Sequence, residues 1–301
     1  MPIKKSELYS SLWASCDELR GGMDASQYKD YVLVLLFIKY ISDKYAGVPY
    51  APITIPAGAS FKDMVALKGK PDIGDQINKK IIAPLVNANT NLSLSDFPDF
   101  NDPTKLGDGK ERVDRLTNLI GIFESKALDF SKNRAESDDL LGDAYEYLMR
   151  NFATESGKSK GQFYTPAEVS RVIAQVIGIR EAKTSGNTSV YDPTCGSGSL
   201  LLKVGDEART PVTLNGQEKD AATSGLARMN MYLHASPGAS SPPIARQVDR
   251  AWKGQGREAE NDWGISRRDC KQGRLLSNRI LPQPIHRKCN KSHRISLHNF
   301  Q

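Results

Sequence analysis

The feature that most restricts the fold of this chain is an eight-residue turn, Asp192-Pro-Thr-Cys-Gly196-Ser197-Gly198-Ser199. It lies between a short strand pattern, Ser189-Val-Tyr191, and a helical pattern from Leu200 to Ala208. Glycines let backbone pass close to a ligand, and the free N–H groups of a helix start hold polar atoms. A second strand pattern follows at Val212-Thr-Leu214, then a helix from Asp220 to His234 with Leu226, Met229 and Leu233 on one face. Upstream, Thr165-Pro166-Ala167-Glu168 reads as a helix start, with Thr as the cap, Pro in the first position and Glu closing a capping box. Val169, Val172, Ile173, Val176 and Ile177 continue it at helical spacing until Gly178. Helix–strand–helix–strand–helix is the opening of a doubly wound α/β sheet.

A glycine-rich turn alone is more often just a turn. Here Glu218 ends the second strand region, twenty residues after Gly198. A carboxylate at that place accepts both hydroxyls of a ribose, which makes nucleoside binding the better reading. The spacing is not that of a dinucleotide GxGxxG, and Asp192 lies just before the loop. A carboxylate there favours S-adenosyl-L-methionine, whose sulfonium and amino groups are positive.

Residues 1–152 read as a helical region. Ser6 to Leu19 sets Leu8, Leu12, Trp13 and Leu19 on an apolar side, and Gly21-Gly22 stops it. Asp24 or Ser26 can cap the next helix, whose run Tyr31-Val-Leu-Val-Leu-Leu-Phe-Ile38 is apolar nearly all round and belongs at the centre of a bundle. That run is far too short to span a membrane. Alternating Ile53 and Ile55 in a Pro-rich stretch predict a short hairpin within 48–60. Helical patterns return at 71–87, 111–127 and from Ser137 to Phe152. Cys16, Cys195, Cys270 and Cys289 are far apart with no CxxC pair, so a reducing compartment, no zinc site and a cytoplasmic location are expected.

The net charge of +6 is unevenly placed. Residues 235–301 hold 13 Lys and Arg against 5 Asp and Glu, whereas residues 1–234 hold 28 against 30. This last segment shows no periodicity and few apolar residues, so a basic, disordered tail is expected.

Several motifs together resemble the adenine-N6 DNA methyltransferases, and among them the modification subunit of type I restriction–modification systems. Asp192-Pro-Thr-Cys-Gly-Ser-Gly-Ser resembles the family's first cofactor motif, and Gly161-Gln-Phe-Tyr-Thr-Pro166 the cofactor segment just upstream. Asn215-Gly-Gln-Glu218 matches the acidic motif. Asp24-Ala-Ser-Gln-Tyr-Lys with its apolar continuation, and Asp139-Leu-Leu-Gly-Asp-Ala-Tyr-Glu-Tyr-Leu, are similar to the helical N-terminal domain of those subunits. The resemblance runs from about residue 8 to 234. It implies an α/β fold in which a helical N-terminal domain (1–152) precedes a Rossmann-like, S-adenosylmethionine-dependent methyltransferase domain, of which 153–234 is the N-terminal part. It implies cofactor contacts at Gln162, Phe163, Tyr164, Thr165, Pro166, Asp192, Gly196, Ser197, Gly198, Ser199 and Glu218. Phe163 and Tyr164 offer faces for stacking; packing beside the sheet is the other use of such rings. The implied activity is methylation of adenine N6 in DNA, on a base flipped out of the duplex. The implied partners are DNA, a specificity subunit that reads sequence and a restriction subunit that cleaves.

The sequence departs from that pattern after His234. The family's catalytic motif, Asn/Asp/Ser-Pro-Pro-aromatic, uses its first residue and a proline carbonyl to accept hydrogen bonds from the adenine amine, and its ring to stack on the base. Here the one Pro-Pro is Ser241-Pro242-Pro243-Ile244, and isoleucine stacks poorly. A catalytic role is not expected, and the composition of 235–301 looks like translation in another frame. Two or three strands would leave a sheet with an open edge and an apolar face, so weak or no cofactor binding is expected. An alternative reading is a non-catalytic remnant that binds the specificity subunit or DNA.

Overall fold

A computed structural model describes residues 5–19, 25–132, 144, 147, 148, 151, 165, 167–185, 187–233, 246–250 and 294–296. The helical region is built on α1 (Lys5–Leu19) and α2 (Ala25–Tyr45). Every residue from Tyr31 to Ile38 is buried, as a helix apolar all round requires. Around α2 lie α3 (Phe61–Val65), α4 (Ile73–Gln76), a π-helical stretch (Ile77–Ile82), α5 (Ala83–Asn87), α6 (Pro103–Leu106) and α7 (Gly109–Phe123). The helix predicted over 71–87 is therefore continuous but widened. Pro84 explains the widening, because its ring has no N–H to give and crowds the carbonyl four residues back. Stacking of Tyr9 on Tyr147, with ring centroids 4.3 Å apart, ties the helical residue Tyr147 to α1.

The hairpin expected within 48–60 is corrected: this stretch contains no strand. Ile53 is buried, yet its segment pairs with a side chain instead of a strand. Asn89 Oδ1 accepts the Thr54 N–H at 2.9 Å, and Asn89 Nδ2 donates to Thr54 O at 2.8 Å and to Leu85 O at 2.7 Å. One buried amide thus fills the donor and acceptor that a neighbouring strand would have filled.

The second region begins with α8 (Ala167–Ile177), which ends at Gly178 with a φ of +69°. It continues through β1 (Ser189–Asp192), α9 (Ser199–Glu207), β2 (Thr213–Glu218) and α10 (Ala221–Leu233). Asp220 caps α10 by accepting the Thr223 N–H at 2.8 Å and its hydroxyl at 2.7 Å. Each element lies within about a residue of its expected place, apart from the longer β2.

The reading of 235–301 as wholly without regular structure is corrected at two places. Arg246–Arg250 forms β3, parallel to β2, and Arg294–Ser296 forms β4, parallel to β1. The sheet order is β3-β2-β1-β4. Backbone pairing carries these strands; Arg246-Gln-Val-Asp-Arg250 has one apolar residue and no alternation for a sequence reading to find.

The expected apolar open face is corrected as well. Val190 and Leu214 are buried on the side of α9, and Leu214 meets Gly205. The opposite side of β1 and β2 is polar and hydrogen-bonded across the strands. Asn215 Nδ2 donates to Ser189 Oγ at 2.8 Å, and the Tyr191 hydroxyl donates to Gln217 Oε1 at 2.8 Å.

Helix α10 belongs to both regions. Leu226 and Met229 sit in the core around α2, and Ala227 and Met231 in the core under the sheet. No described helix is long and apolar enough to cross a membrane.

Candidate functional site

The carboxyl ends of β1 and β2 are neighbours, with Asp192 in register with Gly216. The turn after β1 begins at Asp192, which is fully buried and accepts the Thr194 N–H on Oδ1 at 3.0 Å. This bond sets the first bend in the way aspartate does at turns. Cys195 N–H then donates to Gln217 O at 2.9 Å, fastening the turn to β2. Gly198 N–H closes back on Cys195 O at 2.8 Å. Gly196 (φ +55°) and Gly198 (φ +80°) occupy the left-handed region, where a side chain would be strained. The Ser197 and Ser199 hydroxyls lie 3.0 Å apart at the mouth of α9.

Glu218 completes the arrangement. Its Oε2 accepts the Gly196 N–H at 3.1 Å and its Oε1 accepts the Asp220 N–H at 2.9 Å. Each carboxylate oxygen has two lone pairs, so both keep acceptor capacity for a ligand's hydroxyls. Burial, and then the carboxylates of Asp192 and Glu218, push the Cys195 thiol well above its ordinary value. The thiol is therefore protonated and inert, and the interior of the turn is negative, which suits a cationic ligand.

Of the residues expected at the site, Asp192, Gly196, Ser197, Gly198, Ser199 and Glu218 come together around this turn. Thr165 is half-buried, two residues before α8, and α8 packs along α9. Gln162, Phe163, Tyr164 and Pro166 lie outside the described residues, as does Ser241-Pro-Pro-Ile244.

Two residues at the turn were not singled out from the sequence. A Cβ on Gly216 would lie 2.6 Å from Cys195 Sγ, so this glycine lets the turn settle on β2. A glycine inside a strand is the signal that marks such an approach. Asn230 is buried on α10 and donates from Nδ2 to Ser197 O at 3.2 Å. Nothing in its sequence neighbourhood distinguishes it from other polar residues of that helix.

A parallel strand, a glycine turn at a helix start, and a carboxylate at the end of the next strand bonded to that turn define a Rossmann-like, methyltransferase-type α/β fold. Comparison with known proteins agrees. Residues 8–123 match the family described as HsdM N-terminal domain, and residues 136–245 match N-6 DNA Methylase. By these two matches the chain belongs to the family of type I restriction–modification methylase subunits. It is 33% identical over 281 residues to the type I restriction enzyme MpnII methylase subunit of Mycoplasma pneumoniae, covering 77% of this chain and 50% of that one. It is 30% identical over 256 residues to the MjaVII methylase subunit of Methanocaldococcus jannaschii, covering 76% and 41%. Among solved structures, the methyltransferase subunit of a type I system from Streptococcus thermophilus superposes with a TM-score of 0.61 at 27% identity, covering 88% of this chain and 61% of that one. The chain thus spans about half the length of the curated relatives it matches. The N-6 DNA Methylase match reaches residue 245, past His234 where the resemblance read from the sequence stops.

Proposed function

We propose that this chain binds S-adenosyl-L-methionine at the β1–α9 turn, as part of a type I modification subunit whose assembled form methylates adenine N6 in DNA. The observation that supports this reading is Glu218 accepting the Gly196 N–H, a bond that joins the glycine turn after β1 to the carboxyl end of β2. In this reading Glu218 takes the ribose hydroxyls, the N–H groups of Gly196 to Ser199 face polar atoms of the ligand, and the buried charge of Asp192 acts at short range while shaping the turn. Thr165 stands two residues before α8, and Gln162, Phe163, Tyr164 and Pro166 are proposed as further cofactor contacts on the motif they form with it in sequence. When bound, the cofactor supplies a methyl group on a positive sulfur. The residues present fit such a group: the turn is negative inside, its glycines leave room for close approach, and Glu218 retains free lone pairs. Four parallel strands and α10 hold the turn, so binding is stronger than a two-stranded fragment would give.

Methyl transfer is a separate matter, and we place it outside this chain's own residues. The site lies at the carboxyl ends of the strands, where Arg250 of β3 is in register with Glu218. Ser241-Pro-Pro-Ile244 precedes β3 in sequence, whereas the family's motif follows a strand. DNA, a specificity subunit and a restriction subunit are the partners of the assembled system, with the helical region as the surface for the specificity subunit.

Calorimetry with S-adenosyl-L-methionine tests the first part. Binding with a micromolar dissociation constant, weakened at least about tenfold by Glu218→Ala, is expected, since one well-placed charged hydrogen bond is worth roughly 1.5–3 kcal/mol. Equal affinity of the variant would remove Glu218 from the site. Labelled cofactor with duplex DNA and a specificity subunit tests the second part. No transfer above background is expected, and transfer that disappears with Pro242→Ala would make Ser241-Pro-Pro-Ile244 catalytic after all.

A further inference from the structure

The turn is held from a third direction, and that hold leads back into the helical region. Asp96 has no exposed side-chain surface and pairs with Arg228 of α10, whose own side chain is 15% exposed. Arg228 Nε donates to Asp96 Oδ2 at 3.0 Å, and a second guanidinium nitrogen contacts Oδ1. Asp96 also accepts the Ser93 N–H at 2.8 Å, which fixes the carboxylate within its own 3-10 turn, Leu94–Asp96. The contact is close because Gly225 has no side chain. A Cβ there would lie 2.6 Å from Asp96 Cβ and 2.8 Å from its carbonyl oxygen.

The other flank of the same helix touches the turn. Asn230 Nδ2 donates to Ser197 O, and the Met231 methyl and Ala227 lie against Gly198. Asn230 is 1% exposed, and among the described residues its buried Oδ1 has no hydrogen-bond partner. An amide kept buried with one end unfilled is costly when packing is its only use. Gly225 and Arg228 therefore lock α10 to the helical region, while Asn230 and Met231, about half a turn to one turn further along, set the height and tilt of Ser197 and Gly198.

We propose that Asp96, Arg228 and Asn230 are positioning residues, through which the helical region fixes the geometry of the cofactor turn. The proposal rests on the reading of that turn as the cofactor site. It assigns the helical region a part in cofactor binding besides any surface it offers to another subunit. None of the three residues is given a direct contact with the ligand; Arg228 acts through α10, and Asn230 through the Ser197 carbonyl.

The test uses the full chain and two readouts, hydrogen exchange of the 193–200 peptide without ligand and calorimetric affinity for S-adenosyl-L-methionine. Asn230→Ala removes the donor at the turn. The double variant Asp96→Ala/Arg228→Leu removes the lock without leaving a buried charge unpaired. Both are expected to speed exchange of the turn by about tenfold or more while the Tyr31 to Ile38 stretch of α2 stays protected. Both should raise the dissociation constant about tenfold, and Asn230→Gln, which keeps the donor, should recover part of the loss. A lower melting temperature with unchanged turn exchange, or with unchanged affinity, would show that these residues only hold the fold and would overturn the proposal. Faster turn exchange in a protein whose unaltered form binds no cofactor would uphold the coupling and sink the cofactor reading alone.

Discussion

At Gly216 a single hydrogen atom decides whether the turn can lie on β2. Alanine there would put its methyl 2.6 Å from Cys195 Sγ and 3.0 Å from Cys195 Cβ, contacts that require the turn to lift. Gly216→Ala should destabilise the chain by roughly 1–3 kcal/mol, the range for overpacking a fitted interior. Adding Cys195→Ala should recover part of this in a double-mutant thermal unfolding series, because it removes the sulfur and leaves the Cβ. Full additivity of the two would show that they do not touch. Another residue-scale device sits far from the site, where Ser60 and Asp63 cap α3 reciprocally. The Ser60 hydroxyl and backbone N–H hold the Asp63 carboxyl below its usual range. A depressed carboxyl stabilises the fold above its unfolded value and loses that contribution as pH falls through the folded one. Ser60→Ala should cost about 0.5–2 kcal/mol at neutral pH. The gap between wild type and variant should narrow in acid below the usual aspartate range, leaving the part due to the Asp63 N–H bond to Ser60 Oγ; a gap constant with pH would rule out the carboxyl as a source.

Elements were legible where burial imposes a period and obscure where backbone pairing alone does the work. The run Tyr31 to Ile38 could only be a central helix, and α2 is one. Asp192 to Ser199 and Glu218 were legible as parts of one site because the strand–turn–helix order fixes where a glycine turn must face. Strands β3 and β4 were not: Arg246 to Arg250 shows no alternation, and Arg294-Ile-Ser296 is too short for its alternation to count as a signal, whereas a parallel edge strand needs only its N–H and C=O groups to pair. The stretch around Ile53 misled for the opposite reason: it alternates as a strand does, but its partner is the side chain of Asn89, and no periodicity announces a partner of that kind. Asn89→Ala would leave Thr54 and Leu85 groups without their buried partner, at a cost of roughly 1–3 kcal/mol, the desolvation penalty of such groups. Denaturant unfolding measures it, and a loss under about 0.5 kcal/mol would mean that water replaces the amide without penalty.

The whole molecule is organised about α10, which gives Leu226 and Met229 to one core and Ala227 and Met231 to the other. A chain cut after residue 152 would lose two buried side chains from its helical core and the guanidinium that neutralises Asp96. Such a fragment should unfold at a markedly lower temperature than the intact chain, because leaving a buried charge unpaired costs about 3–5 kcal/mol. A fragment as stable as the parent would mean that Asp96 finds solvent or another partner when α10 is gone. The polar cross-strand pairs Ser189–Asn215 and Tyr191–Gln217 have a thermal consequence of their own. Exposing apolar surface raises the heat capacity of unfolding, and exposing polar surface lowers it. The helical region, with its all-apolar central helix, therefore dominates the heat-capacity step, and its stability curve is steeply arched. The sheet region, one face of which is knit by amides and hydroxyls, has a flatter curve, so the balance between the two halves shifts with temperature. On warming or cooling from the optimum, the helical half weakens the faster, and the site would then lose its support from the side of α2 before its own strands part.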